Sequence, residues 1–235
     1  DVPVWKVTTD DGVEHTFYRA PQSMNDRILN AFAKVPALYI ADGHHRCAAA
    51  SRVHENRQSQ QSAHFLAGVY PDDALKVMAY NRVVHDLNGL TPEGFLTSLE
   101  DKFFISDCSD PVPSVGGTFT LYMAGKWRTI TPKKGVVDQN DPVGRLDVAV
   151  LQDNILSPIL GITDPRRSTR IDFVGGIRGH VALQRAVDGG HALAIHCFPT
   201  PLDQLFSVAD AGEVMPPKST WFEPKLREGV AIRKL

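Results

Sequence analysis

Only three cysteines occur in the 235 residues, Cys47, Cys108 and Cys197, an odd and widely spaced set. That spacing argues against a disulfide framework and for a reducing, cytoplasmic setting. No apolar run approaches the roughly eighteen residues a membrane helix needs, so no membrane partner is expected. Neither sign of charge dominates: 25 Lys and Arg stand against 27 Asp and Glu, a net charge of -2. A nucleic-acid partner would leave a basic excess or a helix-turn-helix pattern, and neither is present. The G-x-G-x-x-G and G-K-[ST] phosphate fingerprints are missing, and the GGIRG stretch at 175–179 fits neither. Zinc signatures such as HExxH or paired cysteines are missing too. What remains is an ordinary globular composition, 43% hydrophobic and 22% charged, able to bury a substantial core in one or two domains.

The most informative stretch is Leu38-Tyr39-Ile40-Ala41-Asp42-Gly43-His44-His45-Arg46, followed by alanine-rich helical sequence. It reads as a strand over 37–41, a tight acidic-glycine turn, and a helix from Arg46 to about Asn56. A helix start presents free N–H groups and a dipole that favours anions. Arg46 adds a planar fork for phosphate or carboxylate oxygens, and His44 and His45 add proton-transfer capacity near neutral pH. Three readings stand at this point: a polar turn capping a helix, a metal site, or phosphate and nucleotide handling. Adjacent histidines diverge unless the turn bends sharply, which counts against the metal. Cys47 and the alanines read as packing residues that let the helix lie close to a sheet, rather than as a nucleophile and its surroundings.

Elsewhere the alternation of Val4 to Thr9 and Val13 to Arg19 predicts a hairpin turning at 10–12. Ser23 predicts a helix cap, with the helix running to Lys34 before Pro36. Strands are expected over 65–70 and 75–80. Thr91-Pro92 marks a helix start running to about Lys102, because Thr caps and Pro suits the first helical position. A strand at 103–106, a hairpin around Ala124-Gly125, and a helix over 147–160 bent or ended by Pro158 come next. A helix over 181–188, a strand over 191–198, a helix over 202–211 and a final hairpin, 221–226 with 230–233, complete the chain. Trp127 and His196 read as core residues. The fold class expected is α/β (α+β), divided into portions at 1–84 and 85–235.

Three further places carry candidate chemistry. Arg82 ends an apolar run where a guanidinium needs a partner, either an internal carboxylate or a ligand. Arg166, Arg167 and Arg170, with Ser168 and Thr169 between them, suit a phosphorylated ligand or a solvated loop equally. Pro216-Pro217 stiffen the backbone ahead of Lys218, Ser219 and Thr220, which offer one cation and two hydroxyls on a loop able to reach the opening turn.

Resemblance adds to this. YIADGHHR is similar to the phosphate-binding turn of ParB/sulfiredoxin-like proteins. The blocks YIADGHHR, YNRVVHDLNGL, DPRRSTRIDFVGG and MPPKSTWFEPKL, in that order, resemble the bacterial family called domain of unknown function 1015, and they span residues 39–226. The resemblance implies a mixed-sheet ParB/sulfiredoxin-like portion over 1–84, with a second α+β portion over 85–235. Because the resembled proteins are longer and this chain opens at Asp1 in mid-pattern, it reads as a C-terminal fragment or processed product. The resemblance implies a nucleotide or small phosphorylated ligand as partner, and ATP or ADP with Mg2+ as cofactor. Asp42, His44 and His45 are then the candidate catalytic residues. Gly43, His44, His45, Arg46, Arg82, Arg170, Lys218 and Ser219 are the candidate ligand-binding ones, and no residue is assigned to a resident metal. Two functions follow: phosphoryl transfer to a small hydroxyl such as that of free serine, with the base upstream of residue 1, or a nucleotide-binding regulatory or scaffold module without turnover. A purely structural role for the polar blocks is the third reading.

Overall fold

The computed structural model describes residues 2–10, 12–225, 229 and 232–233. The chain divides into two compact units, 1–40 and 41–235. In the first, strands β1 (Trp5–Thr8) and β2 (Glu14–Phe17) form the expected hairpin, with Trp5 opposite Phe17 and their rings stacked at 5.6 Å. Ser23 lies in a 3-10 turn, so helix α1 (Asn25–Phe32) starts later and ends earlier than the sequence predicted.

The second unit opens with α2 (His44–Arg57) and continues through the short strands β3 (Lys76–Met78) and β4 (Tyr80–Val84). Then follow α3 (Pro92–Leu99), β5 (Phe103–Asp107), β6 (Phe119–Met123) and β7 (Lys126–Pro132). Helix α4 (Asp147–Leu151) widens into a π-helical turn, Gln152–Leu156, before the bend at Pro158. The rest is β8 (Ile171–Gly175), α5 (Gly179–Asp188), β9 (Leu193–His196), α6 (Leu202–Asp210) and β10 (Trp221–Glu223).

Six strands form one sheet in the order β5-β7-β6-β9-β4-β8, while β3 pairs with β10 in a separate ribbon. Every pair among the described residues is antiparallel, where the resemblance implied a mixed sheet. The reason is visible in β8–α5–β9. These two strands run parallel, but β4 is inserted between them and meets each antiparallel. Period-two alternation then sorts the side chains. Leu121, Leu193 and Ile195 join Phe95 and Leu99 of α3 and Leu151 and Ile155 in the main core. Tyr122, Ala194 and Val83 face the other way, onto Leu183 of α5, with Trp127 packed beside them. The Thr91 cap holds as expected, its Oγ1 accepting the Gly94 N–H at 3.1 Å. The β6–β7 turn at Ala124-Gly125 takes φ of +50° and +75°, the left-handed pair that suits a tight hairpin.

Two expected strands are not strands. Residues 37–41 and 65–70 have no ladder, and Leu38, Ile40, Phe65 and Leu66 are exposed. An apolar run becomes a strand only when another edge accepts its N–H and C=O groups. Likewise α2 buries none of its residues, so its alanines do not pack a sheet, although Cys47 is half-buried. The expected 75–80 strand breaks at Ala79, where the chain passes from the ribbon to the sheet. Of the final hairpin, 221–223 pairs with β3, and most of the return lies outside the described residues. No described helix is long and apolar enough to cross a membrane.

The Gly175-Gly176 pair is explained by close approach. A methyl on Gly175 would lie 2.7 Å from the Trp221 ring, and one on Gly176 would lie 2.8 Å from the Ala79 carbonyl oxygen. The Gly176 N–H also donates to that oxygen at 2.7 Å. Backbone cannot give way as a side chain can, so Gly176→Ala is expected to cost about 2–3 kcal/mol in urea unfolding. An unchanged midpoint would contradict this.

Candidate functional site

At the Asp42 turn, Gly43 adopts φ +84° just before α2 begins. That left-handed conformation costs glycine nothing and any other residue strain. The Gly43 N–H donates to Asp42 Oδ1 at 2.7 Å, and Lys225 Nζ donates to Asp42 Oδ2 at 2.8 Å. Burial raises the Asp42 pKa, but the Lys225 ammonium and the Gly43 N–H outweigh it and the net direction is down. Asp42 is therefore an ionised brace for the turn. The Gly43 carbonyl accepts the N–H groups of Arg46 and Cys47 at 2.9 and 3.0 Å. The N–H groups of His44 and His45 have no protein acceptor among the described residues. The first turn of α2 holds no acidic residue, and the side chains of His44, His45 and Arg46 are all exposed.

The second candidate region surrounds Arg82 on β4, which is 3% exposed. Its Nη1 donates to the Tyr80 carbonyl and lies 4.0 Å from Cys197 Sγ; Nη2 donates to the Lys218 carbonyl at 3.2 Å. The guanidinium lies over the Phe173 ring, 5.4 Å from its centroid, and Nε finds no acceptor among the described residues. No carboxylate pairs with Arg82 among those residues, so the internal ion pair considered from sequence is not formed. Burial pulls its pKa down, and pushes the neighbouring Cys197 thiol up to about 11, leaving that cysteine a neutral core residue. Beside Arg82 opens a cavity of about 270 Å³, lined also by Gln152, Asp164, Arg166, Phe173 and Pro217.

The other predicted residues are placed as follows. Lys218 takes φ +58° and sets its ammonium 5.3 Å from the centre of the Tyr80 ring. Ser219 is buried and its hydroxyl donates to the Pro216 carbonyl at 2.6 Å, closing its own loop. Arg170 forks onto both oxygens of Asp86 and donates to the Leu160 carbonyl at 2.9 Å. That fork holds the Asp86 pKa down, at about 2. The structure thus brings Arg82 and the Lys218–Ser219 loop together, whereas the donors of Arg170 are taken up by the fold. His196 is buried and bonded to the Pro111 carbonyl at 2.9 Å, as expected of a satisfied core histidine.

A contact chain joins the two regions. Lys225 pairs with Asp42 and lies 5.1 Å from the Trp221 ring centre; Trp221 meets the edge of Tyr80 at 5.3 Å; Tyr80 lies under Lys218. The residue that meets the opening turn is Lys225, beyond β10 and outside the 216–220 loop, and sequence reasoning did not single it out. Its distance from Asp42, 183 positions away, left no local signal. Sequence reasoning also passed over His85, Asp172 and His191, whose ligand atoms cluster within 4.8 Å of one another.

No curated protein matches the chain in sequence. Among solved structures, a substituted variant of a free serine kinase in complex with AMP is similar at 15% identity and a TM-score of 0.45, over 87% of this chain and 81% of that one. The free serine kinase in complex with AMP gives 16% identity and a TM-score of 0.44, over the same shares. A conserved hypothetical protein from Pyrococcus furiosus gives 14% and 0.44, over 86% of this chain and 82% of that one. The sequence profile described as "Protein of unknown function (DUF1015)" matches residues 1–149, more than half of the chain, and the protein belongs to that family.

Proposed function

We propose that the protein binds a nucleotide or small phosphorylated ligand at the turn 42–46, and that it transfers a phosphoryl group from ATP or ADP with Mg2+ to a small hydroxyl substrate such as free serine. The observation that carries the binding part is the composition of the α2 start. Helices favour acidic residues in the first turn, where the dipole is positive. Here that turn holds His44, His45 and Arg46 and no acid, behind a left-handed glycine. A sequence that breaks a local rule at an exposed turn is best explained by a ligand, and an anion is the ligand that a helix start favours. In this reading Gly43 lets the backbone approach the phosphates, the His44 and His45 N–H groups and Arg46 hold them, and Asp42 braces the turn. His44 and His45 are placed to neutralise charge during transfer, which depends on positioning more than on covalent chemistry. Arg82 lines the cavity described above, the Lys218 carbonyl accepts from it, Ser219 closes the 216–219 loop, and Arg170 is held on Asp86.

Binding without turnover is the second reading, and the Asp42–Lys225 pair counts only against Asp42 itself as the base. A carboxylate held by an ammonium and a backbone N–H is a poor base for a hydroxyl proton. Titrating the full chain with ATP, ADP and CTP, each with Mg2+, tests both. At least one nucleotide is expected to bind, and Arg46→Ala is expected to weaken it about tenfold or more, the worth of a charge-assisted contact. Serine-dependent consumption of the bound nucleotide separates a kinase from a binder. Failure of all three nucleotides to bind overturns both readings.

A further inference from the structure

We propose that His85, Asp172 and His191 form a binding site for a divalent transition-metal ion of the zinc class, with the remaining coordination positions open to water or a ligand. The proposal is independent of the nucleotide reading.

Asp172 lies in β8, His85 directly follows β4, and His191 precedes β9 by two residues. Asp172 on β8 stands opposite Val83 on β4. His85 follows Val83 by two positions, and its N–H donates to the Arg170 carbonyl at 2.9 Å, so it continues the same ladder. Cross-strand partners and next-but-one neighbours share a face, so His85 and Asp172 project together. His191 enters β9 on the other side of β4, where the next residue, Ala192, donates to the Val84 carbonyl at 3.0 Å. Asp172 thus stands on a strand, and the backbones of His85 and His191 at the strand ends are held by hydrogen bonds to Arg170 and Ala186.

The proton positions follow from the hydrogen bonds. His191 Nδ1 lies 2.9 Å from the Ala186 carbonyl. A carbonyl only accepts, so Nδ1 carries the proton and Nε2 keeps its lone pair, the tautomer that binds metal. That Nε2 lies 3.6 Å from Asp172 Oδ2, and His85 Nε2 donates to the same oxygen at 2.7 Å, so a metal ion would take the place of that proton. The two imidazoles meet edge to face with centroids 4.7 Å apart. Tetrahedral ligands at about 2.0–2.2 Å from zinc stand about 3.3 Å from one another. All three ligand atoms already lie within 4.8 Å, so small side-chain rotations close the set.

The electrostatics agree. Ala186 is in the last turn of α5, where exposed carbonyls give a helix its negative end and favour a cation. Arg170, whose carbonyl accepts the His85 N–H, is paired with Asp86 through its fork, while Arg185 lies in the same last turn of α5. The side chains are 42%, 61% and 31% exposed, which leaves an entry path from solvent. Two imidazoles and one carboxylate suit zinc, cobalt or nickel, whereas magnesium and calcium prefer all-oxygen sets.

The test uses the full chain after chelator treatment. Zn2+ is titrated by calorimetry, Co2+ by its visible absorption, and Ni2+ by broadening of the histidine NMR signals. One equivalent is expected to bind, with His85 and His191 broadened first. His191→Ala and Asp172→Asn are each expected to weaken binding at least about tenfold, the lower end of the effect of losing a metal-supporting group. Circular dichroism checks that each variant keeps its fold, and one exposed and one half-buried position give independent readings. The proposal is overturned if no equivalent binds, if neither substitution weakens binding, or if the first equivalent broadens His44 and His45 instead.

Discussion

Replacing Arg82 by alanine is expected to destabilise the protein by about 3–4 kcal/mol, measured by urea unfolding at neutral pH. The guanidinium is buried and pairs with no carboxylate among the described residues, so what it supplies is hydrogen bonding. It donates to the Tyr80 and Lys218 carbonyls and covers the Phe173 ring. Alanine leaves those carbonyls without that donor, and an unsatisfied buried polar group costs about 1–3 kcal/mol. It also removes the aliphatic stem from a packed interior. Arg82→Met separates the contributions, because methionine restores the stem and leaves the carbonyls without a donor. It is expected to recover about half of the loss. Should Arg82→Met match or exceed the parent protein, the buried charge is a burden that the surrounding dipoles do not offset.

The second large effect is a pH dependence centred on Asp147. Its carboxylate opens α4 and accepts the Gly117 N–H at 2.9 and 3.1 Å through its two oxygens. Burial nevertheless dominates and pushes its pKa from 3.8 to about 6. A carboxyl whose folded pKa is raised binds its proton more tightly in the native state. Its favourable contribution is therefore complete below pH 4 and is lost as pH rises through 6. The two-unit difference corresponds to about 2–3 kcal/mol. Asp147→Asn keeps an acceptor for Gly117 and carries no charge at any pH. The variant is expected to equal the parent near pH 4 and to exceed it by about 2 kcal/mol at pH 7.5. Parallel urea midpoints across that range would refute the assignment.

Local signals in the sequence proved reliable where a residue acts on its own backbone. Thr91-Pro92 capped a helix, and Ala124-Gly125 turned a hairpin. They failed where the outcome depends on a partner elsewhere. The runs at 37–41 and 65–70 have strand composition, but strandedness is a property of a pair of segments. The arginines at 166–170 looked equivalent in sequence. Topology separates them, because Asp86, 84 positions from Arg170, claims that guanidinium while Arg166 lines the cavity. The glycine and basic residues of the opening turn were legible because a left-handed helix start is local chemistry. Lys225, which pins that turn, and the His85–Asp172–His191 cluster were not, since the fold alone brings them together.

The place of β4 in the sheet also governs how the chain can reach its fold. Val83 and Val84 lie at a central position whose two neighbours begin only at Ile171 and Leu193. At about 5–20 residues per second, a ribosome needs roughly 5–20 s to make the intervening chain. During that interval the strand's amide groups and valines lack their native partners. Closing so long a loop is an entropic cost met before any pairing rewards it, which marks β4 for late consolidation and slow folding. The β6–β7 hairpin closes over a few residues and has no such delay. Sheet assembly is therefore expected to proceed from that hairpin toward β4, with the nascent chain between these two events the part that chaperones would be called on to shield.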